Sequence, residues 1–192
     1  MKFYLLDIKV IIANLKHPST ITTMNWTDSH DLIGFDTAQI CLYGHITNDA
    51  IHNMPKFSEK YCKRCGEKTI TTCPNCNEEI RGALFDNLDG IVQLRKTPAY
   101  CQNCGKPFPW TETTIQAAIE LSVEDGNLNE SEVVILRESI ADLVSDSPRT
   151  QLGAARFKRI MGKVGVETAK AIRDIVVSIV SESAKTIIWP DK

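Results

Sequence analysis

KYCKRCGEKTITTCPNCNEEI, residues 60 to 80, holds two Cys-x2-Cys hooks, Cys62 with Cys65 and Cys73 with Cys76, separated by seven residues. Whether these four thiols close on one metal ion, or each pair finds a partner elsewhere, decides the architecture of the middle of the chain. A third hook, Cys101 with Cys104, lies further on, and the seventh cysteine, Cys41, stands in CLYGH with His45 four positions later. Gly44, directly before the histidine, permits a tight turn there. The inventory is therefore four hooks and eight ligands, with no cysteine left over. Eight ligands suit two tetrahedral zinc ions, one held by three thiolates and an imidazole and the other by four thiolates, each closed by protein atoms as structural sites are. The expected cofactor is two structural Zn2+ ions.

Four hooks pair in three ways. If Cys62, Cys65, Cys73 and Cys76 shared one ion, Cys41 and His45 would have to reach Cys101 and Cys104 across more than fifty residues. An interleaved pairing, first hook with third and second with fourth, is the remaining alternative. Sequential pairing leaves connectors of sixteen residues (46 to 61) and twenty-four residues (77 to 100), each able to hold a short antiparallel excursion between two knuckles. That is the plan of a zinc ribbon, and spacing favours it. Thr69 to Thr72, TITT, is β-branched and reads as a strand between the two units. Gly66 and Gly105 follow their hooks where the backbone must turn, and Pro74 presets the turn inside CPNC. Residues 37 to 110 then form two units of about 35 residues each, below the roughly 40 at which a chain rarely folds unaided. Metal substitutes for the missing core.

Composition limits the rest. Among 192 residues, 43% are apolar and the formal charge is -2, which fits a globular protein and argues against a uniformly basic nucleic-acid binder. No run approaches the roughly 18 apolar residues that span a bilayer, so no membrane association is expected. The opening MKFYLLDIKVIIANLKH is interrupted by Asp7 and Lys9 and reads as no signal peptide. Paired cysteines then indicate metal ligation in a reducing, cytoplasmic setting rather than disulfides.

After Trp110 cysteine and histidine disappear and helical periodicity takes over. Thr111 starts a helix to about Asp125, with Ile115, Ala118 and Ile119 on one face and Gly126 as its stop. Asn129 and Glu132 resemble a capping box for a second helix carrying Val133, Leu136, Ile140, Leu143 and Val144 at helical spacing. Ser147 as cap and Pro148 at the first position open a third, ended by Gly165. A fourth spans about Glu167 to Ile188. Charge is uneven: residues 111 to 146 hold nine acids and one base, residues 147 to 173 seven bases and one acid. Arg149, Arg156, Arg159 and Lys163 share one helix face. Such a stripe either contacts phosphate or pairs with the acidic helices beside it, and the acidic excess favours the second.

No catalytic role is expected. No histidine begins a His-x-Glu or a His-Glu-x2-His motif, and no phosphate-binding glycine loop occurs. Redox chemistry at one Cys-x2-Cys pair would leave another hook short of ligands. His52 lies too far from Cys41 to join its hook, and His17 and His30 read as surface residues. Taken together, CLYGH, YCKRCG, TCPNCNEEIRG and PAYCQNCGKPFPWTE, followed by DSPRTQLGAARFKRIMGKVG and SESAKTII, resemble a bacterial family of uncharacterised zinc-ribbon proteins over about residues 36 to 189. The resemblance implies two zinc ribbons fused to a helical tail. The first 35 residues fall outside it, and Met24 is an alternative start.

The expectation is an α+β protein: a variable N-terminal segment (1-36), a tandem zinc-ribbon region (37-110) and an α-helical domain (111-192). Its expected role is a non-catalytic zinc-binding adaptor whose partner is a protein, met by ribbon loops such as Ala83 to Lys96. The alternative is a nucleic-acid-binding regulator using the stripe from Arg149 to Lys163 with Lys63, Arg64, Arg95 and Lys96.

Overall fold

Ala38 is wholly buried, and on either side of it the chain serves a different sheet. In the computed structural model, which describes residues 34-86, 90-125 and 127-190, strand β1 (Gly34–Thr37) precedes Ala38 and β2 (Gln39–Cys41) follows it. Then come β3 (Ile46–Asn48), β4 (Thr69–Ile70), β5 (Arg81–Asp86), β6 (Gly90–Val92) and helices α1 (Pro109–Glu124), α2 (Glu130–Val144), α3 (Thr150–Met161), α4 (Val166–Val176) and α5 (Glu182–Ile188). One antiparallel sheet has the order β1-β5-β6, the other β3-β2-β4. The protein is α+β. All of these elements belong to one compact unit, Leu32–Lys192. The interrupted opening stretch, His17, Met24 and His30 lie outside the described residues, as does Gly126.

The segments carrying the two pairs of hooks interlock. The connector after Cys76 folds as a hairpin, yet β5 pairs with β1 upstream of the first hook, Phe35 opposite Leu84 and Thr37 opposite Arg81. β4, between the two inner hooks, pairs with β2, Ile40 opposite Ile70 and Cys41 opposite Thr69. Only Thr69 and Ile70 of the expected TITT strand are extended in a ladder, because Thr72 already enters the next knuckle through a bridge to Glu79. The segment Ala83 to Lys96, read as a presented loop, is largely the β5–β6 hairpin, with Ala83 fully buried.

Behind β1 a buried carboxylate ties the turn after β3. The Asp36 side chain is fully shielded and accepts from the backbone N–H groups of Thr37 (2.6 Å), His52 (3.1 Å) and Asn53 (3.1 Å) and from Asn53 Nδ2 (2.8 Å), with His52 Nδ1 at 3.0 Å. Burial opposes its charge, but these donors outweigh burial and hold its carboxyl down at about 2. His52 is thus engaged with Asp36 and stands apart from the cysteine clusters. Because the folded value lies below that of an unfolded aspartate, this clasp contributes fully above about pH 4 and is lost as pH falls towards 2. Asp36→Asn is expected to cost about 3 kcal/mol at pH 7, read by urea denaturation, since it takes the charge from these hydrogen bonds and turns an amide N–H against a donor.

The helices bury one shared core, centred on Leu136, Ile140, Leu143, Phe157, Ile172 and Val176. Their boundaries correct four expectations. α1 begins at Pro109 instead of Thr111, with proline at the position where no N–H is needed, and Thr111 turns inward to donate its hydroxyl to Ala99 O (2.9 Å). α3 begins at Thr150, after a turn in which Ser147 Oγ accepts from Arg149 N, so Pro148 precedes the helix. Gly165 opens α4 instead of closing α3, and the expected last helix is two. α4 stops at Val176 and α5 restarts behind Ser181, whose hydroxyl accepts from Ala184 N while its own N–H reaches Leu143 O (2.9 Å) at the end of α2.

Sheets and helices meet at Trp110. Its ring stacks on Phe108 (centroids 4.6 Å apart, 17° between planes) and its indole N–H donates to Pro98 O (2.7 Å). The first turn of α1 is therefore part of the sheet-region core, alongside Ala38, Ile40, Ile80, Cys73 and Cys101.

Candidate metal centres

Three of the four hooks fold into the same knuckle. In each, the leading cysteine's N–H donates five residues on, Cys62 to Glu67 O, Cys73 to Glu78 O and Cys101 to Lys106 O, and its carbonyl accepts from the residue four positions on, Gly66, Asn77 or Gly105. That fourth residue takes a left-handed backbone in all three, with φ of 76°, 60° and 69°. Glycine was expected there from CKRCG and CQNCG. Asn77 fills the same position in CPNCN, which the glycine signal could not reveal, although asparagine tolerates this conformation better than other side chains. The fourth hook is built on the β2–β3 hairpin, where Gly44 has φ of 85° and the His45 N–H donates to Cys41 Sγ (3.3 Å).

These turns bring the eight ligands together in sequential pairs. Cys41, His45, Cys62 and Cys65 form one cluster and Cys73, Cys76, Cys101 and Cys104 the other, all ligand atoms of each lying within 4.8 Å of one another. Cys62 and Cys65 thus end one centre while Cys73 and Cys76 begin the next. Distances in the first are 3.6 Å from His45 Nδ1 to both Cys41 Sγ and Cys62 Sγ, and 3.7 Å between Cys41 and Cys65 sulfurs. In the second, Cys73 and Cys104 sulfurs are 3.8 Å apart, Cys76 and Cys101 3.6 Å. A disulfide needs about 2.05 Å, so these are free thiols. Around a tetrahedral ion with metal–sulfur bonds near 2.3 Å and metal–nitrogen bonds near 2.05 Å, the edges measure about 3.8 Å between sulfurs and about 3.5 Å from sulfur to nitrogen. The donor sets fit such an ion in both chemistry and size.

Backbone amides point at the sulfurs, as thiolate ligands require. The Glu78 N–H, with further help from Asn103 and the neighbouring thiols, holds Cys76 down at about 7. At Cys104 the strongest single influence, the Lys106 N–H, also favours the thiolate, yet burial and the thiols of Cys76, Cys101 and Cys73 together push it up to about 11. Burial likewise raises Cys41 against the N–H groups of His45 and Tyr43; at Cys62 burial is overcome by the N–H groups of Arg64 and Cys65. Each cluster therefore contains one sulfur held towards its thiolate beside one that resists, and thiols at this spacing ionise together only with a cation among them.

The basic residues named from sequence have mostly found partners. Arg149 forms a two-pronged bond to Asp142 (2.7 and 3.0 Å), Arg156 lies 3.7 Å from Glu138, and Lys163 pairs with Glu132. All three acids are on α2. Lys63 faces Glu59 at 3.9 Å, and Lys96 donates to Val180 O and Glu182. Arg64 and Arg95 are exposed.

A model of the family described as "Uncharacterized protein conserved in bacteria" (DUF2321) matches residues 34–188, from the first strand to the last helix. The chain belongs to that family. The match takes in both cysteine clusters and the five helices. No curated protein and no solved structure matches the chain. No helix among the described residues is long and apolar enough to cross a membrane.

Proposed function

We propose that both clusters hold zinc and that the protein is a non-catalytic adaptor, joining a protein partner through a surface that the two metals keep rigid. The observation carrying this reading is the completeness of the ligand shells: four protein donors at tetrahedral spacing in each cluster leave no coordination position for water or substrate. Thiolate-rich sets favour zinc among common divalent ions, and free thiols suit a reducing compartment such as the cytoplasm. Nucleic-acid binding is less well supported, because the Arg149 to Lys163 face is largely occupied by α2 carboxylates.

Affinity purification from the bacterial host, with and without nuclease, tests the role. A protein recovered in stoichiometric amount after nuclease treatment is expected. Recovery that vanishes with nuclease, and with moderate salt, would replace the adaptor by a nucleic-acid binder.

A further inference from the structure

Six of the seven cations of residues 147 to 173 divide into two groups, with exposed Arg159 apart from both. Arg149, Arg156 and Lys163 lie on the α2–α3 seam with their carboxylates. Lys158, Lys170 and Arg173 form no ion pair among the described residues; they converge on a groove of about 390 Å³ between α3, α4 and α5. Its floor is Phe157, Met161, Ile188 and Trp189, and among the described residues no aspartate or glutamate lines it. Phe157 and Trp189 meet edge to face at 6.3 Å.

Two of the three cations have a structural task. Lys158 Nζ donates to Ile187 O (2.8 Å) near the end of α5, and the Arg173 guanidinium lies 5.2 Å over the Trp189 ring. Neither task neutralises a charge, and exposed Lys170 has no bonded partner in the described structure. Like charges gathered around an apolar floor without a counter-charge make a site complementary to a ligand both anionic and apolar.

The surroundings limit the size of that ligand. Glu167 and Asp174 on α4 and Glu182 on α5 are exposed around the groove's helices, and residues 111 to 146 carry nine acids against one base. A long polyanion would meet repulsion soon after leaving the groove. The indole face is already covered by Arg173, so no open ring awaits a stacking base. We propose that this groove binds a short acidic segment of a partner protein, one apolar side chain on the Phe157–Ile188 floor and two or three carboxylates on Lys158, Lys170 and Arg173. The proposal rests on the adaptor reading and assigns it a surface.

The test uses the metal-loaded full chain, isotopically labelled for amide NMR, and an eight-residue peptide of Asp and Glu with Phe and Leu at its centre. Controls are the same peptide with lysine for each acid and an eight-nucleotide oligothymidylate. Only the acidic peptide is expected to shift the amides of residues 158-162 and 169-173. Lys170→Glu should weaken it about tenfold with an unchanged melting temperature, and Lys170→Arg should retain it. Shifts elsewhere or none, an unchanged affinity in Lys170→Glu, or tighter binding of the oligothymidylate at these amides would each overturn the proposal. If Lys170→Glu recovers the same protein from host cells as the wild type does, the groove is excluded while the adaptor reading stands.

Discussion

Cys73→Ser is expected to unfold the sheet region instead of yielding a folded protein with less metal. Cys73 is fully buried, sits in the sheet-region core with Ala38, Ile40, Ile80 and Trp110, and supplies one of four sulfurs to the second cluster. Binding free energy of a structural zinc is on the order of 10 kcal/mol, comparable to the entire stability of a domain. Serine returns neither the thiolate nor the packing. Because Trp110 ties the core to α1, loss of the second cluster should also remove the fixed near-ultraviolet signal of Trp110, while the far-ultraviolet helical signal partly survives in the α2–α5 core. A high-affinity chelator at neutral pH should reproduce the change. Retention of wild-type near-ultraviolet dichroism and melting by Cys73→Ser would show that the metal does not hold this region together. Cys65, whose residue is exposed, provides a graded comparison: Cys65→Ser removes a ligand with little loss of packing and should destabilise less.

The second large effect involves no ligand. Gly82 lies in β5 where three backbones approach: a methyl group there would stand 2.2 Å from Asp49 O, 2.8 Å from Ala38 N and 2.9 Å from Asp36 O. All three are main-chain atoms, so no side-chain rotation relieves the clash. Gly82→Ala is expected to cost at least about 3 kcal/mol, lowering the melting temperature by roughly 6 to 12 °C. At Gly34, in β1, the same substitution meets no atom within 4 Å and should leave stability within about 0.5 kcal/mol. Equal melting of the two variants would mean that β5 does not pack against β1 and Asp49 as described.

The two four-residue clusters were legible because they are written locally. A hook needs only two donors at fixed spacing and a residue able to turn behind them, and the three knuckles repeat that unit with Gly66, Asn77 and Gly105. Sequential pairing followed from connector length. The capping box of Asn129 and Glu132 was equally local, and both of its hydrogen bonds form (3.0 and 3.1 Å). Pairings decided at a distance were not legible. Nothing around Arg81 states that its strand returns to Thr37, and nothing in AIHNM announces that its amides turn towards Asp36. The break between α4 and α5 carries no glycine or proline; the end of α2, accepting from Ser181 N, stabilises it from outside the segment. The destination of the basic stripe was readable only as a charge balance, and the structure gives three of its four residues named α2 partners and leaves Arg159 exposed.

Elemental analysis of the folded chain, purified without chelator, tests the central claim most directly. Two zinc ions per chain are expected, one for each four-ligand cluster, and their removal should abolish the cooperative melting of the sheet region. A well-folded, cooperatively melting protein that contains no zinc or other transition metal would contradict it.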